Sequence, residues 1–323
     1  MKPFSDINNV ATLSEKELIA RVCRKFGTST QLPSPYGAGD DCAVIDSASL
    51  QKNVCATSDA VILGRHFSYT DSPYLAGEKL IKRNVSDIAS MGATPFSALA
   101  SSICSPNISL DWLDAFSEGM GVASQRYGIK IIGGDFASVK EDFFSTHLTL
   151  LGHTNHSPML RTGASEGDII CTTGVLGASF ESGHHLTFEP RVAEGLFLIE
   201  SGLITACTDL SDGMGSDIRN VLPKGMCAEF NQADIPLREY DGKTASLKGA
   251  FCDGEDYELL FTFSANGDFD KFTSEYFARF GSPIYRIGTI KKASSSEEEN
   301  ALILVSNENR AILNFSGFDH YQL

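Results

Sequence analysis

Asp209-Leu210-Ser211-Asp212-Gly213 stands where the apolar run Ile204–Thr208 ends. Read outward from it, the same grammar recurs at Gly133-Gly134-Asp135, Asn84-Val85-Ser86-Asp87, Thr57-Ser58-Asp59 and Gly39-Asp40-Asp41. Most of these motifs are flanked by Gly, and most close an apolar run. One Asp at the end of a strand is ordinary. Five such motifs imply carboxylates gathered at one place, and gathered carboxylates repel each other unless cations neutralise them. The natural cation is Mg²⁺, a hard ion that prefers oxygen ligands and commonly bridges to phosphates. The pattern points to metal-dependent phosphate chemistry without a P-loop.

Composition bounds the rest. The chain has 323 residues, room for two ordinary domains. With 42% hydrophobic and 21% charged residues it is globular in type. A formal net charge of −15 argues against a nucleic-acid partner, which needs a basic footprint. It also means that an anionic substrate is repelled unless metal ions or local Arg and Lys intervene. The eight cysteines form no C-x-x-C pair and lie mostly in apolar runs, as buried free thiols of a reducing compartment do. The first residues carry no apolar signal core and no run approaches a membrane span, so a cytoplasmic protein without a membrane partner is expected.

Patterning gives the elements. Ser14 to Phe26 is predicted to be a helix, with Ser14 and Glu17 as a capping box and Gly27 as its stop. A Gly/Pro/Ser loop over 28–41 leads to strands at Cys42–Ile45 and Val54–Thr57. A long helix opens at Ser72-Pro73 and stops at Gly92, with Asp87 at the edge of its apolar face. Phe96–Ile103 is a strand, Ser109–Tyr127 a helix, Ile129–Ile132 a strand ending in Gly-Gly-Asp, and Phe143–Leu151 a strand. The second half places strands at Asp168–Thr173, Ile204–Thr208, Asp256–Phe263, Ile284–Ile290 and Ala301–Val305. Helices are expected at Arg191–Ser201, just after Gly213, and near 268–279. Strands and helices mix without strict βαβ alternation, which favours α+β.

The common nucleotide signatures fail. Gly242-Lys243-Thr244 lacks the upstream P-loop glycine, since Leu237 stands there, and Gly37-Ala38-Gly39 meets Cys42 where a dinucleotide fingerprint needs its third Gly. The surviving series is collinear with that of thiamine-monophosphate kinases, and on it the chain resembles that family, part of the aminoimidazole ribonucleotide synthetase superfamily. The carrying segments are Gly39-Asp40-Asp41, Thr57-Ser58-Asp59 with Gly64-Arg65-His66-Phe67, and Asn84 through Ala93. Then come Gly133-Gly134-Asp135, Arg161 with Gly167-Asp168, Asp209 through Gly213, Gly254 through Leu259, and the tail Gly317-Phe318-Asp319-His320-Tyr321.

The resemblance implies ATP-dependent phosphorylation of thiamine monophosphate to thiamine diphosphate by direct in-line transfer with Mg²⁺. It implies a two-domain α+β fold. Residues 1–152 would be the ATP/metal-binding and dimerisation domain, whose sheet pairs with a second copy's in a barrel. Residues 153–323 would form a C-terminal α/β sandwich. It implies metal ligation by Asp41, Thr57, Ser58, Asp59, Asp87, Asp135, Asp209 and Asp212, with Asp135, Asp209 and Asp212 central to catalysis. Gly134, Asp135, Arg161 and Ser211 would contact ATP; His66, Glu255 and Phe318 would contact the thiamine end.

The chain departs from the family pattern at four places. Phe136 stands where Thr usually follows Gly-Gly-Asp, Lys82-Arg83 where the residues before Asn84 are usually apolar, Arg65 where a small or apolar residue is usual, and Asp253 where Gly is. Arg83, one helical turn before Asp87, can pair with it. Taken singly, the acidic motifs are also turn formers, helix caps or surface ion pairs. His184 and His185 diverge on a helix and are read as structural. The alternatives in play are a sister ATP-dependent enzyme and a non-catalytic paralogue that binds nucleotide or thiamine phosphate.

Overall fold

The computed structural model describes residues 2–5, 7–13, 15–25, 53–306 and 309–315. The expected cap at Ser14, the loop and strand over 28–45 with Asp41, and Phe318 in the tail lie outside the described residues. The chain divides into two compact units, one from Met1–Ile88 and Thr94–Asn155, the other from Ala89–Ala93 and His156–Leu323. Among the described residues no helix is long and apolar enough to cross a membrane.

In the first unit the order is α1 (Glu15–Lys25), β1 (Asn53–Ile62), α2 (Pro73–Ser90), β2 (Thr94–Cys104), α3 (Leu110–Arg126), β3 (Lys130–Ser138) and β4 (Phe144–Thr154). The strands form one sheet in the order β1-β4-β2-β3. Only β2 and β3 run parallel, because α3 carries the chain back between them. β4 shows why the sheet has a covered and an open face. Its residues Phe144, Thr146, Leu148 and Leu150 are buried, while His147 is exposed and Thr149 partly so. The covered face packs on the helices, where the Trp112, Phe116 and Phe144 rings meet at 4.7–5.8 Å. The open face leaves Val54 and Leu99 exposed.

Helices α2 and α3 touch backbone to backbone through two glycines. A Cβ on Gly77 would lie 1.9 Å from the Phe116 carbonyl oxygen, and one on Gly119 1.9 Å from that of Tyr74. No side chain can stand at either point unless the helices part.

The second unit contains β5 (Ile169–Thr172), α4 (His184–Thr187), α5 (Val192–Ser201), β6 (Ile204–Asp209), α6 (Met214–Asp217), β7 (Met226–Asn231), β8 (Glu239–Tyr240), β9 (Lys243–Thr244), α7 (Leu247–Cys252), β10 (Leu259–Phe263), α8 (Phe269–Phe280), β11 (Tyr285–Lys292), β12 (Leu302–Ser306) and β13 (Asn309–Leu313). Seven of its strands form a sheet in the order β13-β12-β7-β11-β5-β10-β6. Apolar layers cover both faces. Leu198, Phe261, Phe263, Phe272 and Tyr276 build one, and Leu210, Met214, Phe230, Phe251, Leu260 and Ile287 the other. Every residue of β10, Leu-Leu-Phe-Thr-Phe, is therefore buried, and the run shows no alternation.

The mixed α/β architecture agrees with the reading of the sequence; several boundaries do not. β1 runs on from Thr57 to Ile62 and β3 from Ile132 to Ser138, so Asp59 and Asp135 lie inside strands rather than after them. Unbroken pairing of β1 with β4, and pairing of β3 with β2 that resumes at Gly133 after a register shift, supply the ladder bonds that a polar Ser-Asp or Gly-Gly-Asp step does not advertise. Asp256–Glu258, expected in a strand, precedes β10 as irregular backbone, because Glu255 and Tyr257 adopt positive φ of 61° and 50°. β7, a polar-interrupted strand, went unpredicted.

Gly77→Ala and Gly119→Ala are each expected to cost about 1–3 kcal/mol of stability by overpacking the same contact. The double variant should cost less than the sum, since the helices need part only once. Urea midpoints of the three variants check this; unchanged midpoints would contradict the contact.

Candidate active site

In the first unit, β1 and α2 meet as a ladder of polar rungs. Thr57 and Asp59 are two residues apart on a strand, about 6.7 Å, and share its covered face. Asp87 and Arg83 are four apart on a helix, about 6 Å, and share one side of it. The spacings match, and the rungs form. Thr57 Oγ1 donates to Asp87 Oδ2 at 2.5 Å, and Arg83 Nε donates to Asp59 Oδ2 at 3.2 Å. Arg83 Nη1 also donates to the Ala60 carbonyl at 2.6 Å. Asn84, fully buried, accepts from the Asp59 amide at 3.0 Å and donates to the Leu80 carbonyl at 2.8 Å. One further turn back, Lys79 Nζ donates to the His66 carbonyl at 2.7 Å. His66 is itself buried, and its Nδ1 accepts from the Ile62 amide at 3.0 Å, so the neutral ring carries its hydrogen on Nε2.

The sheet separates candidate ligands that the sequence placed in one set. Ser58 alternates to the open face, where its hydroxyl meets that of Thr149 at 3.1 Å. Asp135 is exposed and lies in register with Ser101, His147 and Ala60, so it also sits on the open face. Asp59 shares its row with Leu148, Ala100 and Gly134, on the far edge strand. Three strand spacings, about 14 Å along the sheet, separate the two edges. Thr57, Asp59 and Asp87 are thus together, while Asp135 and Ser58 are on the other side. Gly134 lets β3 hug β2: a Cβ there would fall 1.7 Å from the Ala100 carbonyl oxygen.

In the second unit, Asp209 ends β6, is buried, and leads into the turn that opens α6. That turn is laced to residues 254–258. Leu210 donates to the Glu258 carbonyl at 2.8 Å, Tyr257 to that of Leu210 at 2.8 Å, and Glu255 to that of Ser211 at 2.8 Å. The fit requires Gly254 at φ 70°, where a Cβ would lie 2.6 Å from the Ser211 carbonyl oxygen. Between the two left-handed residues, buried Asp256 is clamped by the Gly177 amide, Ser179 Oγ at 2.7 Å and Arg238 Nη2 at 3.0 Å. Burial nonetheless pushes its carboxyl up to about 6. Glu258 is gripped in a fork by Arg191, at 2.6 and 2.7 Å, and by Thr173 Oγ1 at 2.7 Å. His184 Nε2 meets the Asp256 carbonyl at 2.9 Å, and burial holds its pKa down to about 4, so it is a neutral structural group; buried His185 meets the Ser179 carbonyl.

Asp217 is the acidic residue that motif reading missed. Its Oδ2 accepts from the Asp212 amide at 3.1 Å, five residues back. Burial first, then the charges of Asp209 and Asp212, raise its pKa well above the ordinary carboxylate value, and Arg161 opposes them. Asp209, Asp212, Asp217 and Arg161 therefore share one electrostatic neighbourhood. Arg161 is brought there because the Cys207 amide bonds the Leu160 carbonyl at 2.8 Å, beside the end of β6. An acidic residue one turn past Asp-Gly was the available signal.

Among the described residues, no group of three or more His, Cys, Asp or Glu side chains is assembled to hold an ion by itself. The candidate donors are all hard oxygens, one or two carboxylates at each place. That fits Mg²⁺, which usually binds through one or two carboxylates and completes its shell with phosphate and water.

Comparison with known proteins gives a family. The model of the family described as AIR synthase related protein, N-terminal domain, matches residues 39–154. A thiamine-monophosphate kinase of Rhodopirellula baltica is 38% identical over 250 residues, 73% of this chain and 78% of that one. The crystal structure of the thiamine-monophosphate kinase from Stenotrophomonas maltophilia superposes with a TM-score of 0.70 at 25% identity, covering 87% of this chain and 95% of that one. AaThiL complexed with AMPPCP and TMP shares the fold, with a TM-score of 0.67 at 22% identity and coverage of 98% of this chain and 100% of that one. Motif series, architecture and sequence identity converge, and the chain belongs to the thiamine-monophosphate kinase family.

Proposed function

We propose that this protein transfers the γ-phosphoryl group of ATP to thiamine monophosphate, giving thiamine diphosphate and ADP. The observation that carries the reading is the sequence identity with the R. baltica kinase across most of the chain. AaThiL, of the same fold, binds AMPPCP, an ATP analogue, together with TMP. The chemistry agrees. The acceptor is a phosphate oxygen already ionised at neutral pH, so no general base is required. The transfer instead requires two polyanions to meet in line.

Bound Mg²⁺ would cancel that repulsion and polarise the phosphoryl oxygens. On this reading Asp41, Thr57, Asp59, Asp87, Asp135, Asp209 and Asp212 hold the ions. Ser58, like Asp135, joins them from the open face. Gly134 and Ser211 line the nucleotide, and exposed Arg161 offers its planar fork to phosphate. His66, Glu255 and Phe318 take the thiamine end, where an aromatic ring suits a flat cation. The laced backbone of 209–212 and 254–258 keeps the proposed phosphate-side and thiamine-side groups in fixed register within the second unit. Exposed Val54 and Leu99 on the open sheet face support a homodimer built by pairing the sheets of two copies, as the family resemblance implies. A cytoplasmic setting goes with the buried free thiols.

ADP release from ATP and Mg²⁺ is expected with thiamine monophosphate, matched by thiamine diphosphate, and not with thiamine or without an acceptor. Turnover independent of the acceptor, or none from folded protein that binds ATP, would overturn the assignment in favour of a sister enzyme or a non-catalytic paralogue. Asp135→Asn, at an exposed position, is expected to keep its thermal midpoint and lose at least ~100-fold in kcat. Near-normal turnover would remove Asp135 from the machinery.

A further inference from the structure

Helix α2 brings a permanent cation to a proposed metal ligand. Arg83 is 8% exposed, its Nε lies 3.2 Å from Asp59 Oδ2, and its Nη1 is anchored on the Ala60 carbonyl at 2.6 Å. The Asp59 backbone is fixed from the same helix by Asn84. A guanidinium so held stays charged at every accessible pH. In the neighbouring rung the Thr57 hydroxyl donates to Asp87.

We propose that Arg83 is a positioning residue that acts as a tethered cation at Asp59, supplying part of the charge that a divalent ion would otherwise bring. The proposal rests on the reading of Asp59 as a metal ligand. Arg83 takes up Oδ2 and leaves Asp59 to offer a divalent ion a single oxygen, already partly neutralised. Metal binding at this carboxylate is therefore weak until nucleotide phosphates add their own oxygens and charge. The device also keeps Asp59 from repelling ATP before metal arrives, which matters in a chain of net charge −15.

The test is a Mn²⁺ titration of the full chain followed by electron paramagnetic resonance of the free ion, without nucleotide and with AMPPCP. Arg83→Gln keeps an amide donor for the Ala60 carbonyl and removes the charge; Arg83→Lys keeps the charge. Arg83→Gln is expected to tighten nucleotide-free Mn²⁺ binding at one site by at least ~10-fold, the scale of a charge removed at about 5 Å. Arg83→Lys should stay near the parent. Adding Asp59→Asn to Arg83→Gln should abolish the gain. If Asp59→Asn alone weakens Mn²⁺ binding with AMPPCP but folded Arg83→Gln gains nothing, the inference is overturned and the ligand reading stands. If Asp59→Asn changes nothing under either condition, the ligand reading itself falls, and the inference with it.

Discussion

Repulsion between like charges is the constraint on which this molecule turns. Its proposed reaction brings a triphosphate against a monophosphate in a chain that is already strongly acidic. Carboxylates are the right groups to hold hard cations and the wrong groups to approach phosphate alone. The fold separates them within the first unit, where Asp59 and Asp135 lie on opposite sheet faces, and crowds them in the second. Among the described residues no group of three or more His, Cys, Asp or Glu side chains is assembled to hold an ion by itself. Asp217, pushed toward protonation by burial and by Asp209 and Asp212, marks how far that crowding is taken in the second unit.

Rigidity around these groups comes from backbone and buried ion pairs. Residues 254–258 hold two left-handed non-glycine residues in place, an arrangement that costs of order 1–3 kcal/mol per residue and persists only where the surroundings over-determine it. Here the surroundings are Arg238 on Asp256, Arg191 on Glu258, and the ladder to Leu210 and Ser211. Buried pairs of this kind are weak sources of net stability and strong sources of position. In the first unit the matched pitch of strand and helix does the same for Thr57, Asp59 and Asp87.

Much of this was legible in the sequence. Gly, Pro and apolar periodicity placed α2, α3, β2, β4, β6 and α8 within a few residues, because each has a cap, a stop or a clean period. The acidic motifs were legible as a series. What they could not disclose was side: Ser58 and Asp59 are neighbours in the chain and lie on opposite faces, a consequence of β1 continuing to Ile62. Asp135 followed its strand to the open face for the same reason. The helical spacing that offers Arg83 to Asp87 does not disclose its bond to Asp59 on β1, since i+4 spacing says nothing about the strand opposite. Asp217 and the Arg238–Asp256 clamp needed long-range contacts that no local pattern encodes.

The central claim is that these oxygens bind cations together with nucleotide phosphate rather than alone. Calorimetric titration of AMPPCP into the protein, with Mg²⁺ and after chelation, tests it most directly. The account predicts binding that is tight with Mg²⁺ and at least ~100-fold weaker without it. Equal affinity under both conditions would contradict it and leave the acidic series without its cations.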